Sequence, residues 1–124
     1  MLLVFVTDAQ AYQRADNTVP FEQAFDGLQD ARAALRITTT VDKLERGLRP
    51  SVRTVGEGVH EAKIDYGPGY RVYFGLDGTE LIVLLLCGDK RTQDGDIQFA
   101  HVLWAEYRQR KGLPPARRGT LLKP

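Results

Sequence analysis

The sequence has little of what metal, disulfide and membrane sites require. It holds one cysteine, Cys87, and two histidines among its 124 residues. One cysteine forms no internal disulfide or multi-cysteine metal site, and His60 and His101 lie too far apart for a fixed-spacing metal motif. The longest apolar run, Leu81 to Cys87, is far too short to cross a membrane as a helix. We therefore expect no metal, no membrane span and a buried, unreactive thiol.

Several catalytic motifs are also missing. The glycine triplets at 56–58 and 67–69 lack the strand-to-helix context of a phosphate-binding loop, and no serine lies in a nucleophile elbow. The first six residues are apolar, but no basic segment precedes them and Asp8 follows. We therefore expect a first strand over Leu2 to Thr7 rather than a signal peptide, and a cytoplasmic protein.

Charge is balanced overall but not along the chain. The formal net charge is +1. Two basic and five acidic residues give −3 over 1–35, seven of each give 0 over 36–87, and eight basic against four acidic give +4 over 88–124. The basic end suits a nucleic acid or an acidic partner, but this net charge is too small to identify one. We predict one domain over 1–112, followed by a basic tail with proline and glycine over 113–124.

Hydrophobic spacing predicts two helices near the start. Pro20 suits the opening of the first, and a break is expected near Gly27 to Asp30. The apolar stripe of the second helix is predicted at spacings of three and four, with Gly47 and Pro50 ending it. That stripe comprises Leu28, Ala31, Leu35, Thr38, Val41, Leu44 and Leu48.

Strand patterns follow the helices and one more helix ends the domain. Strands are expected at Ser51 to Val55, Val59 to Asp65, Tyr70 to Gly75 and Glu80 to Cys87. A polar loop over Gly88 to Gly95 would then lead to a helix capped by Asp94 or Asp96 and stopped at Gly112. Grouped strands flanked by helices predict an α+β fold, a small twisted antiparallel sheet of four to five strands with helices on one face.

The central hairpin has two distinct faces. Alternation places Ala62 and Ile64 on one side and Glu61, Lys63 and Asp65 on the other. On the second strand, Val72 and Phe74 share the apolar face, whereas Arg71 and Tyr73 share the polar face. A connection over Tyr66 to Tyr70 would set Asp65 opposite Arg71 and Lys63 opposite Tyr73.

This polar face allows two interpretations. One is a solvated surface with cross-strand ion pairs. The other is a site for a phosphodiester, because Lys63 and Arg71 would converge with Lys90, Arg91 and Arg53 if the loop after the buried strand lies beside the hairpin. Convergent cations stabilise the charge that grows on phosphate in a transition state.

A specific set of residues lies between positions 55 and 100. It comprises Val55-Gly56-Glu57-Gly58-Val59, Glu61, Ile64, YGPGYRVYF at 66–74, LLLCGDK at 84–90, Thr92-Gln93, Asp96-Ile97 and Ala100. With these residues the sequence resembles the RelE/ParE superfamily of bacterial toxins, in its branch of HigB-like addiction module killer proteins (phage Gp49-like), and the match runs from about Pro20 to Tyr107. Lys63 stands where that family usually has arginine, and the usual Gly-Gly-Asp-Lys is shortened to Gly88-Asp89-Lys90.

The resemblance implies a toxin of a type II toxin–antitoxin pair. Its expected activity is metal-independent cleavage of messenger RNA on the ribosome, by attack of a ribose 2′-OH on the adjacent phosphate. Its expected partner is an antitoxin of the helix-turn-helix type. Two alternatives stay open: a ParE-like inhibitor of DNA gyrase, and a catalytically degenerate relative that only binds its antitoxin.

The resemblance also implies roles for particular residues. Arg71 would be the main phosphate clamp, Lys63 and Lys90 would add positive charge, and Tyr73 or Lys90 would transfer the proton. Glu61 and Asp65 would orient the cations rather than act as a base. Arg53, Arg91 and Gln93 would contact the RNA.

Overall fold

A computed structural model describes residues 8–49 and 51–112. The predicted strand at Leu2 to Thr7 and the predicted tail lie outside these residues. Three helices, five strands and one short 3₁₀ turn occur in the described part of the chain. In chain order they are β1 (Asp8–Ala11), α1 (Pro20–Asp26), α2 (Ala31–Glu45), β2 (Val52–Thr54), β3 (His60–Ile64), β4 (Tyr70–Asp77), β5 (Leu81–Asp89), the 3₁₀ turn (Lys90–Thr92) and α3 (Gln93–Arg110).

The five strands form one sheet in the order β1-β5-β4-β3-β2. Strands β2 to β5 are antiparallel neighbours in chain order, which confirms the α+β fold with an antiparallel meander. At one edge β1 runs parallel to β5, with Asp8 opposite Leu81 and Ala11 opposite Leu84. The sheet is therefore mostly antiparallel, with one parallel pair at this edge: the chain passes from β1 through α1 and α2 to β2 at the opposite edge, and the antiparallel strands then lead back to β5.

Helices cover both faces of the sheet, not one as predicted. Residues of α1 and α2 pack on the first face, where the buried core contains Phe21, Ile37, Leu44, Ala62, Val72, Phe74 and Ile82. Residues of α3 pack on the second face, where the core contains Val59, Tyr73, Val83, Leu85, Leu86, Leu103 and Trp104. Strand β5 is therefore buried on both sides, which explains its nearly unbroken apolar sequence.

A β-bulge between β4 and β5 adjusts the second face. Tyr73 lies opposite Leu86, but the next residue, Phe74, lies opposite Leu84. Leu85 is thus an extra residue, and both it and Leu86 belong to the core beneath α3. The bulge lets β5 present two consecutive side chains to the same helix layer.

The hairpin faces are as predicted, but the register was wrong by two residues. Lys63 lies opposite Arg71, and Ile64 lies opposite Tyr70. The five-residue connection is 65–69 rather than 66–70, because Tyr70 already belongs to the strand. An even shift keeps every side chain on its predicted face and changes only its partner across the strands.

The two amino-terminal helices break where predicted, but the buried stripe of α2 is different. Asp30 caps α2 by accepting hydrogen bonds from the backbone nitrogens of Arg32 and Ala33. The buried residues of α2 are Ala33, Ile37, Thr40 and Leu44. Leu35, placed in the core by the sequence pattern, is 65% exposed, and Leu48 is exposed as well.

The segment after β5 is helical rather than a loop. The 3₁₀ turn runs directly into α3, which begins at Gln93 with Thr92 at its N-cap and Asp94 and Asp96 in its first turn. The predicted cap at either aspartate was therefore wrong. The helix ends beside Gly112, whose φ of 72° suits glycine. No helix in the described ranges is long and apolar enough to cross a membrane.

Cys87 has the buried position that the sequence predicts. Its side chain is almost fully enclosed in the core beneath α1 and α2. Burial raises the pKa of the Cys87 thiol to about 12, with a smaller contribution from the charge of Asp96. At neutral pH the thiol keeps its proton, so the group lacks both the access and the ionisation that a nucleophile needs.

Candidate functional site

A buried carboxylate gathers polar side chains from three elements. Glu61 is only 2% exposed. Its Oε1 accepts a hydrogen bond from Arg53 Nε at 2.9 Å, and its Oε2 accepts one from Gln93 Nε2 at 2.9 Å. Arg71 Nε lies 3.8 Å from the same Oε2. We call Arg53, Glu61, Arg71 and Gln93 the Glu61 network.

The sheet register builds this network. Arg53 lies directly opposite Glu61 across β2 and β3, so their side chains rise on the same face. Tyr73 lies opposite Glu61 on the other side. Gln93, the first residue of α3, reaches Glu61 because α3 packs on that face. The alternation of polar residues in β3 thus places the carboxylate of Glu61 beneath the start of α3.

Arg71 and Lys90 meet at one backbone carbonyl. Arg71 Nη1 donates a hydrogen bond to Gly69 O at 2.9 Å, and the backbone nitrogen of Lys90 donates to the same oxygen at 2.9 Å. A Cβ on Gly69 would lie less than 3.0 Å from Arg71 Nη1, and Gly69 has a φ of 84°. Glycine at 69 therefore permits both the turn and the approach of the guanidinium.

The backbones of Lys63, Arg71 and Lys90 lie near the end of the hairpin, and the predicted convergence of their side chains at one phosphate stays a prediction. Lys63 is the cross-strand partner of Arg71, and Lys90 follows the end of β5 beside Gly69. Lys63 and Lys90 are exposed, whereas Arg71 is only 5% exposed. Arg71 Nε is buried without a hydrogen-bond partner among the described residues. The region thus joins two accessible cations to one enclosed cation.

Tyr73 lies inside this region but does not reach solvent. Its side chain is 0% exposed, and its hydroxyl is buried with no hydrogen-bond partner in the described part of the chain. Burial raises the pKa of Tyr73 well above its usual value, and the charges of Glu61 and Asp96 raise it further. The hydroxyl therefore stays protonated, and its predicted part in proton transfer remains a prediction.

Two other predicted residues lie apart from the network. Arg91 is exposed and makes a two-pronged ion pair with Asp89, with Nη2 to Oδ2 at 2.7 Å. This pairing lowers the pKa of the Asp89 carboxyl. Asp65 is exposed in the hairpin connection, and no hydrogen bond or ion pair between described residues joins it to the cations. The side chain that orients Arg53 and Arg71 is thus Glu61.

Sequence reasoning missed Asp96 as a neighbour of this region. Its Oδ2 accepts a hydrogen bond from Thr92 Oγ1 at 2.7 Å. Burial raises the pKa of the Asp96 carboxyl, although the bond from Thr92 opposes that shift. A Cβ on Gly88 would collide with Asp96 Oδ2. The glycine in β5 was the available signal, because a strand glycine often marks a close approach.

Within the described ranges, no group of three or more histidine, cysteine, aspartate or glutamate side chains could hold a metal ion. The chemistry that the region offers comes from its cations, one buried carboxylate and one buried phenol. Such a set can bind and neutralise an anion such as phosphate.

We expect the two ends of the Arg53–Glu61 ion pair to differ strongly in mutational cost. Arg53 is 62% exposed, so Arg53→Ala should lower the free energy of unfolding by less than about 1 kcal/mol. Glu61→Ala should lower it by about 3 kcal/mol, because it leaves the guanidinium of Arg71 buried without its carboxylate. Urea unfolding of both variants tests the asymmetry, and equal costs would contradict the role of Glu61 as the centre of the network.

The fold and this network define a small α+β protein with a buried carboxylate beneath a group of cations. The chain belongs to the same family as an uncharacterized protein of Haemophilus influenzae. The two sequences are 37% identical over 89 residues, which cover 72% of this chain and 90% of the relative. No protein-family model matches the chain, and no solved structure matches it significantly.

Proposed function

We propose that the protein is the toxin of a type II toxin–antitoxin pair and cleaves messenger RNA. The proposal rests on the resemblance to RelE/ParE toxins of the HigB-like branch. The observation that supports it best is the placement of Lys63, Arg71 and Lys90 around the end of the hairpin. Positive charge from three segments at one place suits a phosphodiester.

The proposed reaction uses the substrate's own hydroxyl. The ribose 2′-oxygen loses its proton and bonds to the adjacent phosphorus, the bond to the 5′-oxygen breaks, and that oxygen takes a proton. The products are a 2′,3′-cyclic phosphate and a 5′-OH, with no oxidant and no covalent enzyme intermediate. Arg71 and Lys63 neutralise the phosphate, and Lys90 is the accessible group for proton transfer.

The Glu61 network gives Arg71 a fixed position. A carboxylate on one side and Gly69 O on the other hold the guanidinium in one place. Because Arg71 is only 5% exposed in this position, its guanidinium must first be uncovered to contact a phosphate. The proposed setting is the cytoplasm, with an antitoxin of the helix-turn-helix type as partner.

The test is induction of the chain without a partner, followed by mapping of transcript ends. We expect growth arrest together with new 5′-OH ends inside coding regions. Arrest with intact transcripts would refute RNA cleavage. If supercoiling by purified gyrase then fails in the presence of the protein, the gyrase-inhibitor alternative replaces our proposal.

One observation favours a second candidate, an antitoxin-binding relative without catalysis. Arg71 and Tyr73 are both enclosed, so neither offers a contact surface in this conformation. An inactive relative would keep them as part of the core. Full growth after induction, with the protein folded and abundant, would support this candidate and contradict the toxin.

A further inference from the structure

A second cationic surface lies on the α2 side of the hairpin. A groove of about 430 Å³ lies between α2 and the end of β3. It is lined by Leu35, Arg36, Thr39, Thr40, Lys43, Lys63, Ile64 and Asp65. Lys63 lines this groove, and its backbone lies opposite Arg71, so β3 connects the groove to the Glu61 network although α2 and α3 pack on opposite faces of the sheet.

The groove is lined by three basic side chains and one acidic side chain, that of Asp65. Arg36 and Lys43 lie two helical turns apart on α2, about 10 Å along its axis, and Lys63 faces them from β3. No ion pair between described residues involves any of the three. By contrast, Arg46, just after the end of α2, pairs with Asp42. The groove therefore keeps its positive charge available.

Arg36 is held in place by an aromatic side chain. Its guanidinium carbon lies 4.8 Å from the centre of the Tyr66 ring, a cation–π contact. The Tyr66 hydroxyl donates a hydrogen bond to Asp30 Oδ2 at 3.0 Å, which fixes the ring against the start of α2. An arginine held at the wall of a groove loses less conformational freedom on binding than a free one.

We propose that this groove binds the backbone of single-stranded RNA on its way to the candidate site. The inference rests on the proposed function and extends it, because it assigns a path to the strand outside the reacting phosphate. Spaced cations contact successive phosphates, Thr39 offers a hydroxyl, and the exposed side chain of Leu35 offers an apolar contact to a base or ribose. Arg36 and Lys43 would then set affinity for longer RNA.

The experiment compares two double variants of α2 in the full chain. Arg36→Gln with Lys43→Gln removes the groove cations. Arg32→Gln with Arg46→Gln removes one cation of α2 and one just after its end, neither of which lines the groove. The probes are 2′-O-methyl RNA, which the proposed reaction cannot cleave, in a trinucleotide and in a length of about 12 nucleotides. Fluorescence anisotropy measures affinity over a range of salt concentrations.

We expect the groove variant to bind the longer RNA about tenfold more weakly, with a salt slope shallower by about 1.4, as the loss of two single-strand phosphate contacts predicts. The control variant should match the wild type, and all three should bind the trinucleotide equally. Equal affinities of the groove and control variants would overturn the inference. So would a polyglutamate peptide that binds the groove as tightly as RNA, since this would indicate an acidic protein partner.

Failure of this inference is distinguishable from failure of the proposed function. A groove variant that binds RNA like the control while the wild type still produces 5′-OH ends would refute the groove alone. If RNA binding depends on the groove but no RNA is cleaved, the proposed nuclease activity is refuted and the proposed RNA binding in the groove is supported.

Discussion

Gly75→Ala is expected to lower the free energy of unfolding by about 3 kcal/mol, the upper part of the range for overpacking in a core. Gly75 lies in β4, and a Cβ there would lie well under 3.0 Å from three ring carbons of Trp104. The ring has no room to retreat, because Trp104 is 1% exposed and stacks on Tyr107 with centroids 5.2 Å apart. The methyl group therefore separates α3 from the sheet or distorts β4.

The control for this change is Gly95→Ala on α3, the helix that carries Trp104. Gly95 is exposed within α3, and a Cβ there meets nothing within 4 Å. Alanine should stabilise the helix by about 0.5–1 kcal/mol relative to glycine. Thermal unfolding would show opposite shifts, with Gly75→Ala lowering the midpoint by about 10–20 °C. An unchanged midpoint for Gly75→Ala would contradict the close contact between β4 and Trp104.

Strand periodicity predicted which side each hairpin residue faces, but not which residue lies opposite it. The faces follow from an alternation of two, which the sequence displays directly. The register depends on where the connection ends, and the Gly-Pro-Gly sequence allowed five residues in either position. Arg71 is partnered by Lys63 because Tyr70 already belongs to β4. A tyrosine beside a glycine can belong to either a turn or a strand, so the sequence did not determine whether Tyr70 belongs to the connection or to β4.

The sequence predicted the polar face of the hairpin but not its burial. One interpretation of Glu61, Arg71 and Tyr73 was a solvated surface, yet all three are buried, and α3 contacts Glu61 and Tyr73. Burial of this kind depends on the packing of a distant helix, and its local traces were the strand glycines Gly75 and Gly88, which admit Trp104 and Asp96 of α3. The same limit applies to α2, where the spacing of apolar residues placed Leu35 in the core. In the structure Leu35 is exposed and Ile37 is buried.

The sequence indicated which residues make up the candidate site better than it indicated how their side chains pair. Arg53 and Gln93 are both bonded to Glu61, and their contact with RNA stays a prediction. Of the two acids expected to orient the cations, Glu61 and Asp65, only Glu61 has an ion pair with them among the described residues. Charged residues at alternate strand positions indicate a shared face, but the choice of partner depends on distances of a few ångströms that no sequence pattern carries.

Substitution of Arg71 can distinguish the structural role of this region from its proposed chemical role. Among the described residues, the guanidinium of Arg71 makes one hydrogen bond, to Gly69 O, and one longer ion pair, to Glu61. Its substitution leaves Glu61 bonded to Arg53 and Gln93, so the carboxylate remains paired. We therefore expect Arg71→Ala to fold with a smaller loss of stability than Glu61→Ala.

If Arg71 neutralises the reacting phosphate, Arg71→Ala should lower the rate of RNA cleavage by about 10²–10³-fold, the usual effect of removing one charge-stabilising donor. Arg71→Lys should recover only part of the rate, because lysine keeps the charge and lacks the planar fork. Single-turnover cleavage of a ribosome-bound message measures the effect, with Arg46→Ala as the matched surface variant. A folded Arg71→Ala chain that cleaves at the wild-type rate would remove Arg71 from the chemistry. It would leave Lys63 and Lys90, the two exposed cations beside it, as the groups that act on the phosphate.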